Sequence, residues 1–188
     1  MRPFLSIWTK PLETFKYLNI RGLNGKGINI NYLFALISLS LPFKNLTDAY
    51  MHIDPFKTIG FIFSIILLAL LSVVSLKYIL SYFFWQFGKI LNGKATLAEI
   101  QLVLAYSAIP NIIHLVIALI FIIPAIQTGN INTILHQHPI TFIVIWLFTT
   151  RNLIIGLSYF NKYSYGYAVL NIVILGAIFE AISLMIKH

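Results

Sequence analysis

The sequence contains no cysteine, and only five of its 188 residues are acidic. The absence of cysteine excludes disulfide bonds, thiolate metal ligands and cysteine nucleophiles. Charged residues of either sign make up 10% of the chain, whereas a soluble domain carries about 25%. Hydrophobic residues make up 59%, and the mean hydropathy is +0.88. These values indicate an integral membrane protein.

The sequence also lacks the residue patterns that catalysis requires. It has no Ser-His-Asp arrangement with supporting context, no paired carboxylates on one helix and no metal-hydrolase motif. His136 and His138 form a His-x-His pair without a neighbouring carboxylate, which is a weak pattern for a metal site. We therefore expect no enzyme activity, no catalytic or metal-binding residue and no cofactor.

The basic residues outnumber the acidic ones, which gives a net charge of +8. Beside membrane spans, such residues set the topology and meet anionic lipid head groups. No basic helix or aromatic-basic sheet pattern points to nucleic acid. We therefore expect anionic membrane lipids as partners and no nucleic acid.

Long apolar runs follow a short polar beginning. They divide the chain into an N-terminal segment, 1–27, and a membrane domain, 28–188. The predicted fold class is all-α, a polytopic transmembrane bundle of five spans with an N-terminal interfacial amphipathic helix. The predicted spans are 28–46, 58–80 with a helical extension to 91, 97–123, 139–160 and 165–186.

The span 28–46 is the shortest of the five. Its apolar run ends at Pro42 and is therefore shorter than the roughly 20 residues that a helix needs to cross a bilayer comfortably. A kinked crossing through Pro42 and a re-entrant segment that stops there are both open, and we expect the crossing. In the N-terminal segment, Leu12, Phe15 and Leu18 share one face of a predicted helix. That face suits the head-group region, and an exposed tail is the alternative.

The distribution of basic residues predicts the orientation. With five spans, one side of the membrane receives Arg2, Lys10, Lys16, Arg21, Lys26, Lys89, Lys94 and Lys162. The other side receives Lys44, Lys57 and Lys187. The richer side is cytoplasmic, which places the N-terminus in the cytoplasm and the C-terminus outside. We expect the protein in the cell inner (cytoplasmic) membrane.

The segment GKILNGKAT, residues 88–96, is close to a phosphate-binding loop. Gly88, Gly93 and Lys94 fit G-x-x-x-x-G-K-[ST], but Ala95 stands where the hydroxyl belongs. The segment also follows a membrane helix, whereas a nucleotide loop needs a strand before it to aim its backbone amides at phosphate. A nucleotide site is therefore disfavoured.

The same segment predicts a helix stop and a helix start. Thr96 and Glu99 have the spacing of a capping box for the third span. Pro110, further along, is expected to kink that span. Lys77 is expected to extend its ammonium group towards the membrane surface. The candidate head-group or partner contacts are Lys77, Lys89, Gly93 and Lys94.

Residues 87–110, FGKILNGKATLAEIQLVLAYSAIP, resemble the loop and third helix of the Yip family of multi-spanning membrane proteins, the Ypt/Rab-interacting proteins. The matching features are Gly93-Lys94, the polar helix start at 96–99, and Ala-Tyr-Ser followed by Pro110. Residues 3–18, PFLSIWTKPLETFKYL, are similar to the opening of bacterial-like members. The resemblance implies five spans.

The chain lacks one motif that eukaryotic members of the family carry. Eukaryotic relatives are associated with prenylated GTPases and early secretory traffic, and carry an Asp-Leu-Tyr-Gly-Pro motif in the N-terminal region. That motif is missing here, so the resemblance does not support small-GTPase binding. It implies a role in membrane organisation or trafficking without a defined biochemical activity.

Arg151 and Glu180 are the charges embedded in the last two spans. An ionisable group inside a span is costly and faces the bundle interior. Across the hairpin near Tyr163, the two differ in height by about 7.5 Å, which a long arginine largely covers. We expect a pair, either as an interhelical clamp or as a polar site for an ion or head group.

The leading hypothesis is a non-enzymatic membrane protein that organises lipid or protein partners through its N-terminal helix and the loop at Gly93 and Lys94. The alternative is a small-solute or ion transporter or permease component, in which Arg151, Glu180 and His114 line a polar path. A homo-oligomer or a membrane-protein partner is also open.

Overall fold

The computed structural model of the chain describes residues 2–21, 29–45, 55–128 and 139–187, and these ranges contain helices and turns but no strand. In chain order the helical elements are α1 (Pro3–Thr9), α2 (Pro11–Arg21), α3 (Ile30–Asn45), α4 (Pro55–Val74), a π-helical segment (Ser75–Leu80), α5 (Ser81–Ile90), α6 (Leu97–Ser107), a 3₁₀ turn (Ile109–Asn111), α7 (Ile112–Thr128), α8 (Pro139–Asn161) and α9 (Tyr165–Lys187).

Several helical stretches have the length and composition of membrane spans. Within the described ranges there are four: Ile66–Ile90, Leu97–Ile117, Ile140–Asn161 and Tyr165–Met185. The protein is therefore a multi-pass membrane protein. The predicted first span is helical as α3, which runs through Pro42, but its 16 residues rise only about 24 Å. That is shorter than a hydrocarbon core of about 30 Å.

The N-terminal segment forms two helices that fold back on each other. The hydroxyls of Ser6 in α1 and Thr14 in α2 lie 2.8 Å apart in a hydrogen bond. Ile7, Phe15 and Leu18 are fully buried in the hydrophobic core. This helix pair therefore packs against the bundle, and the face that was predicted to suit the head-group region meets protein at Phe15 and Leu18.

The centre of the core is α6. Every residue from Leu102 to Ser107 is buried, as expected of a helix that is apolar on all sides. α6 packs against α8, and α2 covers the same part of α8. A Cβ on Gly156 of α8 would come within 2.8 Å of both Val103 and Phe15. The missing side chain at Gly156 lets α6 and α2 approach α8 closely.

The second membrane helix continues from α4 into α5 through the π-helical segment. The wider turn leaves backbone carbonyls without their usual partners. Gln101 Nε2 of α6 donates to the carbonyl oxygen of Lys77 at 3.0 Å, and Ser81 Oγ donates to that of Leu76 at 3.1 Å. Two side chains therefore satisfy the carbonyls that the segment exposes.

The third membrane helix is interrupted at Pro110, as the sequence predicted. α6 ends at Ser107, and α7 begins after the 3₁₀ turn that contains Pro110. Asn111 Nδ2 donates to the carbonyl oxygen of Ala108 at 3.1 Å and to Thr149 Oγ1 of α8 at 3.3 Å. The break is thereby connected to the neighbouring helix.

Candidate functional site

The turn between α5 and α6 closes one end of the bundle. Asn92 has a left-handed φ of 61°, which is tolerated by asparagine. The amide of Gly93 then donates back to the carbonyl oxygen of Gly88 at 2.7 Å. This bond satisfies a carbonyl at the end of α5.

The start of α6 is fixed by a reciprocal cap. The amide of Glu99 donates to Thr96 Oγ1 at 3.3 Å, and the amide of Thr96 donates to Glu99 Oε2 at 2.7 Å. The expected capping box is therefore present. Glu99 Oε2 also accepts from the hydroxyl of Thr96 at 2.9 Å, so the carboxylate is committed to the cap.

A second turn, between α8 and α9, lies beside the first. Lys162 has a left-handed φ of 56°. Ser158 Oγ donates to the carbonyl oxygen of Tyr163 at 2.7 Å, and the amide of Tyr163 donates to that of Ser158 at 3.3 Å. The turn is thus closed by bonds in both directions.

Asn161 joins the two turns. Its backbone carbonyl accepts from the amide of Lys94 at 3.1 Å, and its Oδ1 accepts from the amide of Ala95 at 3.4 Å. Its Nδ2 donates to the carbonyl oxygen of Leu157 at 3.1 Å, which orients the amide group. A Cβ on Gly93 would overlap Oδ1, and one on Gly88 would lie 3.0 Å from it. Glycine is therefore needed where Asn161 approaches.

This junction brings three exposed lysines to one end of the molecule: Lys89, Lys94 and Lys162. Lys89 follows Gly88, Lys94 is bonded to Asn161, and Lys162 follows Asn161, so their backbone positions are fixed by the junction. We call these three residues the lysine face. Within the described ranges, no ion pair involves any of them.

Aromatic side chains support the lysine face. The ammonium of Lys89 lies 3.8 Å from the centroid of the Trp85 ring, a cation–π contact. Trp85 Nε1 donates to the carbonyl oxygen of Ala95 at 3.1 Å, which ties the ring to the α5–α6 turn. The Lys89 side chain is therefore held against a ring that is fixed to the α5–α6 turn.

Tyrosines surround the second turn. Asn171 Nδ2 donates to the hydroxyl oxygen of Tyr163 at 3.3 Å and to the carbonyl oxygen of Phe84 at 3.2 Å. Burial raises the pKa of the Tyr163 hydroxyl, and hydrogen bonds from the side chains of Asn171 and Asn161 offset part of the rise. Tyr163 therefore stays neutral. Asn19 Nδ2 of α2 donates to the Tyr159 hydroxyl oxygen at 3.2 Å, so α2 also reaches this end.

Lys77 lies outside the lysine face, on the π-helical segment. Its ammonium donates to Asn31 Oδ1 at 2.7 Å and to the Tyr78 hydroxyl oxygen at 3.1 Å. The side chain is half-buried and connects the start of α3 to this segment. Lys77 therefore forms a contact between two helices. The prediction that its ammonium group extends towards the membrane surface did not include this contact.

The predicted pairing of Arg151 with Glu180 is not formed. Arg151 is exposed, and its Nη1 donates to the carbonyl oxygen of Trp8 at 3.2 Å. Glu180 is exposed on α9, and no ion pair joins it to Arg151. The reason is that α1 packs over this part of α8, where the Trp8 ring lies 5.5 Å from that of Phe148. The charge pair proposed for a transporter path is therefore absent.

The remaining residues considered from the sequence take no part in the junction that the structure describes. His136 and His138 fall outside the described residues, and the described ranges contain no cluster of potential metal ligands. His114 and Asn152 are buried, and the Asn152 side chain has no hydrogen-bond partner in the part of the chain that the structure describes. Sequence reasoning missed the roles of Asn161 and Asn171, although a polar amide in an apolar helix is itself a signal of a helix–helix contact.

The junction at Gly93 and Asn161, the α6 cap and the Pro110 break all lie within the part of the chain that matches a known family. The family model for the Yip1 domain covers residues 5–186. The chain belongs to the Yip1 domain family. No curated protein and no solved structure matches the chain. The Yip1 domain here therefore includes α1 and α2 together with the membrane helices.

Proposed function

We propose that this Yip1-domain protein is a non-enzymatic membrane organiser that holds anionic phospholipid head groups at its lysine face. The proposal places the protein in the cytoplasmic membrane, with the lysine face and the N-terminus in the cytoplasm. It extends the family membership, which establishes a multi-pass Yip1-domain protein but not a ligand.

The observation that carries the proposal is the junction of the two turns at Asn161. It fixes the backbone of both turns that carry Lys89, Lys94 and Lys162 through hydrogen bonds, so little loop entropy remains to be lost on binding. Glu99, the acidic residue nearest in sequence to Lys94, is committed to the Thr96 cap. Three ammonium groups that form no ion pair within the described ranges suit phosphate oxygens.

The proposed orientation of the chain in the membrane rests on the same three lysines. Lysines near the ends of membrane helices favour the cytoplasmic side, and the lysine face belongs to the richer set of basic residues. The proposed count of five spans requires α3 to cross the membrane. Support comes from Lys77 and Asn31: the start of α3 meets the end of the α4 stretch, so the two helices run antiparallel along each other.

The test compares lipid retention by charge-matched variants of the full chain. Native mass spectrometry from mild detergent would measure bound phosphatidylglycerol and phosphatidylcholine. In Lys89→Gln/Lys94→Gln/Lys162→Gln, we expect phosphatidylglycerol affinity to fall by about 3 kcal/mol at low ionic strength, roughly a hundredfold, because each lysine contributes about 1 kcal/mol. Phosphatidylcholine retention should not change.

The control is Lys44→Gln/Lys57→Gln/Lys187→Gln, which removes the same charge from residues assigned to the opposite side. It should retain phosphatidylglycerol as the wild type does. Equal losses in the two triple variants would show that net charge, and not the lysine face, attracts the lipid. The proposal would then be wrong.

A further inference from the structure

A cavity lies among the membrane helices, away from the lysine face. It has a volume of about 320 Å³ and is bounded by α3, the π-helical segment, α5, α6, α8 and α9. Its wall is mainly aliphatic and aromatic, and includes Phe34, Ile37, Leu104, Leu153 and Leu175. The volume falls at the lower end of the roughly 300–1,000 Å³ that is usual for ligand pockets.

The cavity opens at α9. Gly176 and Phe179 belong to its wall and are also exposed. The Phe179 ring lies 5.9 Å from that of Phe83 in an edge-to-face contact, which forms one side of the opening. A Cβ on Gly176 would meet no atom within 4 Å, so this position leaves the opening unobstructed. Both residues lie within a helix of membrane-spanning length, so the opening faces the bilayer.

The polar residues of the wall offer little to an occupant. Ser107 is only 1% exposed, and its Oγ is itself buried, so it presents no donor to a molecule in the cavity. Asn111 and Thr149 are bonded to each other at 3.3 Å. The cavity therefore offers an occupant mainly apolar contacts.

We propose that this cavity binds one acyl chain of a membrane glycerophospholipid. An apolar cavity left empty forfeits dispersion contacts along its whole wall. Acyl chains are the apolar groups present at the opening, and they pack against side chains as leucine does. The wall favours a chain over water, which needs two or more polar partners.

This inference does not rest on head-group binding at the lysine face, because no residue of that face lines the cavity. The test uses the full chain reconstituted in vesicles of phosphatidylcholine and phosphatidylglycerol that carry a photoreactive diazirine in one acyl chain. After illumination, we expect peptides from α6 and from α9 around Leu175 to be labelled more strongly than the exposed surface of α4.

The decisive variant is Gly176→Leu, which fills the opening without a clash at Cβ. It should reduce labelling of the cavity peptides several-fold. The matched control is Gly166→Leu on the same helix, where the added Cβ meets only Ser164 Oγ at 3.7 Å and which does not line the cavity. Equal labelling of the two variants, or no enrichment in the wild type, would overturn the proposal.

The lysine-face triple variant, Lys89→Gln/Lys94→Gln/Lys162→Gln, should keep the acyl labelling, so that the two proposals succeed or fail separately.

Discussion

At the scale of single residues, Asn161 shows how one side chain determines the form of a whole end of the molecule. Its carbonyl and side-chain oxygens accept from successive amides of the other turn. The absence of a side chain at Gly88 and Gly93 lets Asn161 approach. The Thr96–Glu99 cap, in contrast, was readable from four adjacent residues. The role of Asn161 was not, because its partner Ala95 is 66 residues distant in the chain.

Gly93→Ala tests the junction. The added Cβ would overlap Asn161 Oδ1 and lie 2.7 Å from the carbonyl oxygen of Gly88. We expect a loss of about 1–3 kcal/mol, measured as a lower thermal midpoint in detergent. Gly166→Ala is the control and should stay within about 0.5 kcal/mol of the wild type. In Gly93→Ala/Asn161→Ala, the two losses should be less than additive, because the overlap with the amide is gone. Strict additivity would contradict the contact.

The raised pKa of Tyr163 predicts that the stability of the folded protein falls at alkaline pH. Burial raises its pKa in the folded protein above the ordinary value of about 10. Between the unfolded and folded pKa values the folded state holds more protons, so stability is full below about pH 10 and falls as the pH rises beyond it. Thermal midpoints measured from about pH 9 to 11 should fall less in Tyr163→Phe than in the wild type. A wild-type slope in Tyr163→Phe would refute the assignment.

At the scale of helices, the N-terminal pair has a different role from the one its pattern first suggests. Phe15 is buried beneath Gly156 and Val103, and its ring meets that of Phe160 edge to face at 6.1 Å. An apolar face predicts burial but not what covers it, since lipid and protein are equally apolar. Only the packing shows that protein covers this part of α2.

Phe15→Ala is expected to detach this helix pair from the bundle. The cavity left in the core should lower the free energy of unfolding by about 3–5 kcal/mol. Lys10 and Lys16 are already exposed, but trypsin needs the backbone around them to unfold locally. Detachment would loosen that backbone, so the N-terminal segment should be cleaved faster than in the wild type. Ile20→Ala, at a side chain that is 75% exposed on the same helix, should show wild-type cleavage and stability. Rapid cleavage of both variants would argue against specific docking.

The π-helical segment is a second feature that the sequence pattern did not predict. The apolar run correctly predicts one long helix across α4 and α5. The carbonyls of the π-helical segment accept hydrogen bonds from Gln101 of α6 and from Ser81, five residues after Leu76 on the same helix. The contact with Gln101 is tertiary and leaves no periodic signal in the run itself.

At the scale of the whole molecule, the absence of cysteine makes topology directly measurable. Single cysteines at Lys94 and Lys162 should react with a membrane-impermeant maleimide only from the cytoplasmic side, and one at Lys187 only from outside. A pair of separate variants, Lys26→Cys and Lys57→Cys, tests whether α3 crosses. Labelling from opposite sides would support five spans; labelling from the same side would show that α3 does not cross and would contradict the proposed count.

The sequence by itself determined the membrane class, the helical fold, the approximate helix boundaries and the local stops, caps and breaks. Each of these depends on composition or on residues within a turn or two, which hydropathy and capping chemistry report directly. The tertiary structure alone decided which partner each polar group takes. Arg151 meets a carbonyl of α1 and not Glu180, Asn161 joins two distant turns, and the Ser107 hydroxyl has no partner within the described residues. Nearly every outer face in this chain is equally apolar, so hydropathy cannot assign neighbours, whereas packing geometry does.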